Sequence, residues 1–279
     1  SHSLTPTIIN PTKVFIYPVT SDGDKDYVGV RTDKKDICLS LENCDEANLP
    51  TEIVCEREDL SPLNVDYSGY SPSIIVDSEG KIHISHQKVR STGEIIIGEL
   101  HYCVGSSGSW DCKVVDTEGR SGYSSSLAID SLGGIHIAHA DRYYDKLRYC
   151  YRSGEDWSCE EIEGSNGASV MAVDSKNVAH IVHRKGGWNF PPGARYCSNP
   201  EGVWECQDIE TLSDCGGGAD IFIDSQDKVH FIEPCYSWGS LRYCSNVGGW
   251  SCENVEFNEE LEENGASSIF VDSSGNVHL

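Results

Sequence analysis

Apolar positions along this chain come in short runs, mostly Ile, Val, Leu and Tyr, and each run is cut by Gly, Asp, Ser or Asn. Helical spacing is scarce, and short punctuated runs of this kind predict β-strands. The stretch Ile129-Asp130-Ser131-Leu132-Gly133-Gly134-Ile135-His136-Ile137-Ala138-His139 shows the pattern best. One apolar run ends in Asp-Ser, a Gly-containing turn follows, and a second run opens on His136 and ends on His139. Near-copies span Val76 to His86, Val173 to His183, Ile223 to Glu233 and Val271 to Leu279.

The Asp recurs at Asp77, Asp130, Asp174, Asp224 and Asp272, 44 to 53 residues apart. Each unit then carries a variable loop, a Tyr-Cys pair, a turn, and Trp-x-Cys leading into an acidic strand. The triplets are His101-Tyr102-Cys103, Arg148-Tyr149-Cys150, Arg195-Tyr196-Cys197 and Arg242-Tyr243-Cys244, followed by Trp110, Trp157, Trp204 and Trp250. Every unit thus holds four short strands, A to D. Four-stranded units repeated at this period predict an all-β β-propeller of antiparallel blades. Five blades, over 13–60, 72–118, 124–163, 167–210 and 218–256, precede a partial sixth over 266–279. Residues 1–12 form an N-terminal segment that can supply a closure strand. Because the sequence stops inside strand B of the sixth unit, either it is truncated or a second chain completes the blade.

Alternating strand direction puts the A–B and C–D turns on one face, the bottom, and the B–C and D–A loops on the top. The Asp and first His of each repeat flank the A–B turn, where the Asp can bond turn amides and the His can cross the hairpin. Paired cysteines on adjacent strands C and D suit disulfides, Cys103–Cys112, Cys150–Cys159, Cys197–Cys206 and Cys244–Cys252, with Cys38–Cys55 in the first blade. Cys215 and Cys235 both fall on the top face and are paired on that ground; Cys44 is left as the odd thiol.

The formal net charge of -24 argues against nucleic acid or an anionic membrane as partner. No apolar run approaches a membrane-spanning length. Thirteen cysteines, eight of them in the repeated frame, point to an oxidising compartment: secreted, periplasmic or cell-surface.

Chemistry is sought where the copies differ. The residue closing strand B is His86, His139, His183 and then Glu233. If these converge on the axis, three imidazoles and a carboxylate form a site for zinc, manganese, iron or copper; otherwise they are stacking residues within blades. Asp22, Asp24 and Asp26 alternate in the first A–B turn and are either calcium ligands or a solvated acidic turn. Aromatic residues assigned to top loops, Tyr70, Tyr123, Tyr143, Trp188 and Trp238, suit stacking on sugar rings or packing of the loops on themselves. Arg90, Arg120, Arg142 and Arg184 on that side can meet carboxylates. There is no nucleophile elbow, phosphate-cradling loop or zinc-protease helix, and the carboxylates are too numerous to single out an acid/base pair.

The Asp-Ser-x-Gly-x-x-His-Ile repeats resemble those of secreted bacterial β-propellers of the sialidase-like superfamily. The turn lacks the Ser-x-Asp-x-Gly-x-Thr-Trp of sialidase Asp-boxes, so the resemblance implies fold and not sialidase activity. Some propeller lyases and oxygenases hold a metal with several blade histidines, to which His86, His139 and His183 are similar in kind. The expected function is binding or adhesion, with glycan or an extracellular protein recognised through the top loops. The alternatives are a metal-dependent polysaccharide-degrading enzyme and a structural subunit of an extracellular assembly.

Overall fold

The repeated Asp builds each A–B turn. In the computed structural model, Asp130 Oδ1 accepts hydrogen bonds from the amides of Leu132 (2.8 Å) and Gly134 (2.7 Å). Asp77, Asp174, Asp224 and Asp272 accept the equivalent pairs. The third residue after each Asp has a positive φ: Gly80, Gly133, Asn177, Asp227 and Gly275. Where it carries a side chain, that side chain reaches back to the preceding turn. Asn177 Oδ1 accepts from the amide and hydroxyl of Ser131, and Asp227 does the same for Ser175.

The structure describes residues 14–19, 27–32, 67–91, 96–106, 109–141, 146–162, 169–184, 193–209, 220–235, 240–255 and 267–279. They form an N-terminal hairpin, β1 (Val14–Val19) with β2 (Tyr27–Thr32), then four complete four-stranded antiparallel sheets. Sheet I holds β3 (Tyr67–Val76), β4 (Ile82–Ser91), β5 (Ile96–Ser106) and β6 (Ser109–Asp116). Sheet II holds β7 (Tyr123–Ile129), β8 (Ile135–Asp141), β9 (Lys146–Arg152) and β10 (Trp157–Ile162). Sheet III holds β11 (Ser169–Val173), β12 (Ala179–Arg184), β13 (Ala194–Ser198) and β14 (Glu205–Ile209). Sheet IV holds β15 (Asp220–Ile223), β16 (Val229–Cys235), β17 (Ser240–Ser245) and β18 (Ser251–Val255). A final hairpin pairs β19 (Phe270–Val271) with β20 (Val277–His278). Strands pair in sequence order within every sheet, the meander of a propeller blade. Sheet I begins earlier than its repeat predicts, because β3 runs from Tyr67 through register shifts at Ser68/Tyr70 and Tyr70/Ser73.

First strands of successive sheets lie side by side, β3 with β7, β7 with β11, β11 with β15 and β15 with β19. Side chains stitch them together. Ser73 Oγ accepts from the amide of Leu127, and Ser126 Oγ from that of Met171. The next copy of that position is Val170, which cannot accept, and the waiting amide of Ile221 donates instead to Oδ1 of Asp220. Asp220 Oδ2 meanwhile takes the amide of Ile269 and the hydroxyl of Ser268. β3, β7, β11 and β15 line a cavity of about 800 Å³.

Strand alternation sends one face of each sheet to each neighbour. Ile181 packs with Ala138 and Leu147 of sheet II, while Val182 packs with Ile221 and Phe231 of sheet IV. Towards the bottom, Tyr102, Tyr149 and Tyr196 meet Trp157, Trp204 and Trp250 of the following sheet, with ring centroids 4.9 to 5.2 Å apart. The same tyrosines close an Asp–His–Tyr chain. His136 Nε2 lies 3.1 Å from Asp130 Oδ2, and its Nδ1 lies 2.7 Å from Tyr149 Oη. A neutral imidazole with its proton on Nε2 satisfies both contacts. Burial lowers the His136 pKa against the opposing pull of Asp130, in keeping with that form. His83 and His230 repeat the chain with Tyr102 and Tyr243; at His180 the Asp contact stretches to 3.3 Å and Nε2 makes no hydrogen bond.

Each complete sheet carries one disulfide between its last two strands: Cys103–Cys112, Cys150–Cys159, Cys197–Cys206 and Cys244–Cys252. The bonded cysteines are direct cross-strand neighbours. Closing a loop this short constrains the unfolded chain by about 2–3 kcal/mol.

A candidate ligand cleft between two sheets

The junction of sheets I and II shows what a closed top looks like. Cross-strand register sets Asp116, the last residue of β6, beside Leu100, on the face turned to sheet II. A register shift between Leu100 and His101 lets β6 run on to that position. From sheet II, Arg148 Nε donates to Asp116 Oδ2 at 2.6 Å, and His139 Nε2 stands 3.2 Å from the same oxygen. Burial opposes ionisation of Asp116. The hydrogen bonds from His139, the Glu118 amide and Arg148 outweigh it and hold the pKa at about 2. His139 Nδ1 accepts from the amide of Gly122, so its proton sits on Nε2 and points at the carboxylate. The loop after β6 seals the top. Gln87 Nε2 donates to the carbonyls of Arg120 and Ser121, and Asp141 accepts from the amide of Arg120.

The junction of sheets III and IV has the same positions with different residues. Arg184 ends β12, where β4 has Gln87, and alternation with Val182 turns it towards sheet IV. Ile209 pairs with Ala194 at the end of β14, the register position held by Asp116 in sheet I. From sheet IV, Glu233 stands where His139 does and Arg242 where Arg148 does, directly opposite one another on β16 and β17. Phe231 packs on sheet III and Ile232 on the far side, so Glu233 faces sheet III.

None of these polar groups finds the partners its counterpart has. Both carboxylate oxygens of Glu233, Nε and Nη1 of Arg242, and Nε of Arg184 are enclosed without a hydrogen bond. Glu233 is fully buried, and burial pushes its carboxyl up to about 7 despite the opposing charge of Arg242. An enclosed polar group with no partner costs about 1–3 kcal/mol, and more when charged. Further unpartnered atoms, Ser169 Oγ, Arg195 Nε and Ser267 Oγ, lie at the same ends of neighbouring strands. The chemistry on offer is guanidinium donors from two arginines and a carboxyl whose ionisation falls near neutrality, at the junction of two sheets.

The residues singled out in the sequence fall differently. His86, His139, His183 and Glu233 are not brought together; each stays in its own sheet and turns into a junction between sheets. His139 Nε2 lies 3.6 Å from Cys150 Sγ and His183 Nε2 3.6 Å from Cys197 Sγ, while His86 Nε2 is 4.0 Å from Cys103 Sγ. His183 Nδ1 donates to the carbonyl of Arg184, and burial lowers its pKa to about 4, so it is neutral. Among the described residues the donor atoms close enough to share an ion belong to Asp116, His139 and Cys150. There Cys150 is spent on its disulfide and Asp116 on Arg148. Tyr70 lies within β3 opposite Gln87, and Tyr123 is the half-buried first residue of β7. Arg142, Tyr143, Trp188, Trp238, the acidic turn of Asp22, Asp24 and Asp26, and Cys38, Cys44, Cys55 and Cys215 lie outside the described residues. Cys235 is disulfide-bonded. Arg242 was missed as a site residue, although the Arg-Tyr-Cys triplet displays it.

No protein-family model matches the chain, and no curated protein matches it in sequence. Solved structures do match. One is a protein of unknown function from Dyadobacter fermentans, with 11% identity, 77% of this chain and 75% of that chain covered, and a TM-score of 0.58. Another is a Hadza microbial sialidase, with 9% identity, 65% and 45% covered, and a TM-score of 0.50; the match spans less than half of that enzyme. A third is the Aleuria aurantia lectin, a six-bladed β-propeller with fucose recognition, with 16% identity, 65% and 59% covered, and a TM-score of 0.45. At these identities the likeness shows the fold alone.

Proposed function

We propose that this protein is an extracytoplasmic glycan-binding β-propeller whose ligand enters the top of the cleft between sheets III and IV. The observation that carries the reading is the contrast between two equivalent junctions. At one, Gln87, Asp116, His139 and Arg148 satisfy one another and the loop above them; at the other, both oxygens of Glu233, Nε and Nη1 of Arg242 and Nε of Arg184 are left without a hydrogen bond. Sugars present hydroxyls that both donate and accept, which is what a carboxyl beside a guanidinium requires. By sequence, Trp188 follows Arg184 by four residues and Trp238 follows Cys235 by three, and the reading assigns both to stacking on a sugar ring. The disulfides support an oxidising compartment, where glycans are exposed.

A glycan screen with the whole chain tests this, followed by titration calorimetry with Arg184→Ala and Trp238→Ala. The expected result is a saccharide whose affinity drops at least tenfold in both variants. A silent screen, or binding indifferent to both changes, overturns the reading.

A further inference from the structure

Glycan binding at this cleft leaves open what kind of sugar it selects. The junction of sheets I and II is an internal template for the answer. There the guanidinium of Arg148 is met by a carboxylate delivered from the neighbouring sheet, at 2.6 Å. Sheet IV keeps the arginine, as Arg242, but sheet III offers Ile209 where that carboxylate would stand. We propose that the cleft selects an acidic saccharide, a carboxylate or sulfate ester of the ligand taking the place beside Arg242 that Asp116 fills beside Arg148. This rests on the glycan-binding reading and goes beyond it by naming the group recognised.

The remaining groups agree with an anion. Arg184 closes its strand on the side turned to sheet IV, and its Nε adds an enclosed donor without a partner to those of Arg242. Three unpartnered N–H positions, Arg184 Nε, Arg242 Nε and Arg242 Nη1, call for acceptors, and a carboxylate or sulfate ester supplies several on one group. Glu233 does not bar the anion, because its burial lets it hold a proton near neutrality and then donate to the ligand. Selectivity also follows from the surroundings. The chain carries a formal charge of -24, so an acidic polymer is repelled in general and held only where cations are fixed without partners.

The test is calorimetry on the whole chain with three probes at fixed ionic strength: an oligogalacturonate, its carboxyl-reduced neutral counterpart, and a sulfated galactan oligosaccharide. At least one acidic probe is expected to bind tenfold or more tightly than the neutral one, and which one identifies the anion. Arg242→Gln should remove most of that preference. Ile209→Asp should abolish acidic binding in a folded protein, because the new carboxylate takes Arg242 as Asp116 takes Arg148. Circular dichroism checks the folding of each variant; if Ile209→Asp does not fold, Arg242→Gln and the probe comparison decide. Equal binding of neutral and acidic probes overturns the proposal while leaving glycan binding intact. So does wild-type acidic binding in folded Arg242→Gln or Ile209→Asp, or silence of both acidic probes when the screen has found a neutral ligand.

Discussion

Arg148 of sheet II donates to Asp116 of sheet I at 2.6 Å, and both side chains are buried. The bond joins two sheets beside the His139 contact to the same carboxylate, and a second arm of Arg148 reaches Glu118 at 2.9 Å. Replacing Asp116 by Ile reproduces at this junction the arrangement of Ile209 and Arg242. It leaves Arg148 with only the exposed Glu118 as an anionic partner, which should cost up to about 3–5 kcal/mol. Removing both charges, as Asp116→Ile with Arg148→Met, should recover most of that loss, since a buried ion pair adds little over well-packed apolar groups. Urea denaturation of the single and double variants measures it. A single variant as stable as the parent would show that the pair contributes nothing.

Glu233 gives a pH dependence of definite sign. Its folded pKa, about 7, lies above the usual carboxyl value because burial outweighs the charge of Arg242. Between about 4.5 and 7 the folded state therefore holds the proton that the unfolded state has released. Stability is full below the lower value, falls as pH rises through the higher one, and is level above it; the whole effect is about 3 kcal/mol. Glu233→Gln removes it. The variant should be more stable than the parent at pH 8, by on the order of 1–3 kcal/mol, and no more stable at pH 4. His183, which loses stability as pH falls towards about 4, is present in both proteins and cancels. Denaturation at the two pH values decides; the same difference at both would refute the assignment.

The turn and the strands were legible in the sequence because their cause is local. Asp130 bonds amides two and four residues on, so the spacing of the motif carries its structure. The site was only half legible. Glu233 stood out as the copy that departs from His, and Arg184 as one of four arginines on the side of the top loops. What could not be read was the face. One register step decides whether the residue closing strand B meets the axis or a neighbouring sheet, and His139 and Glu233 turn to the preceding sheet. The exchange of Asp116 for Ile209 was hidden further, because the register shift in β5 and β6 offsets Asp116 by one residue from its counterparts.

The Asp–His–Tyr chains belong to the scaffold, and a tyrosine tests this. Tyr149→Phe keeps the edge-on packing against Trp204, at 4.9 Å between centroids, but removes the hydroxyl from His136 Nδ1. A buried acceptor is left without a donor, at about 1–2 kcal/mol. Thermal denaturation should register that loss, and affinity for any ligand found in the screen should be unchanged. A fall in affinity without a fall in stability would move this chain from scaffold to site.

Asn177 combines two effects that substitution can separate. Its φ of 66° is one that side chains disfavour, and its amide oxygen accepts two hydrogen bonds from Ser131 of the preceding turn. Asn177→Gly should relieve the backbone and lose the bonds, costing about 0.5–1 kcal/mol. Asn177→Ala should lose the bonds and keep the strain, adding about 1 kcal/mol more. The reverse experiment is available one sheet earlier. Gly133 holds the same place with a φ of 80°, and a Cβ there would meet nothing within 4 Å. The turn before it carries Ser78, the counterpart of Ser131. Gly133→Asn should therefore build the missing link between the turns of sheets I and II. The variant is expected to be at least as stable as the parent, and more stable than Gly133→Ala by about 1 kcal/mol, because only Asn can reach the serine. Thermal midpoints of the three proteins settle the order. If Gly133→Asn falls below Gly133→Ala, the inter-turn bonds do not contribute as described.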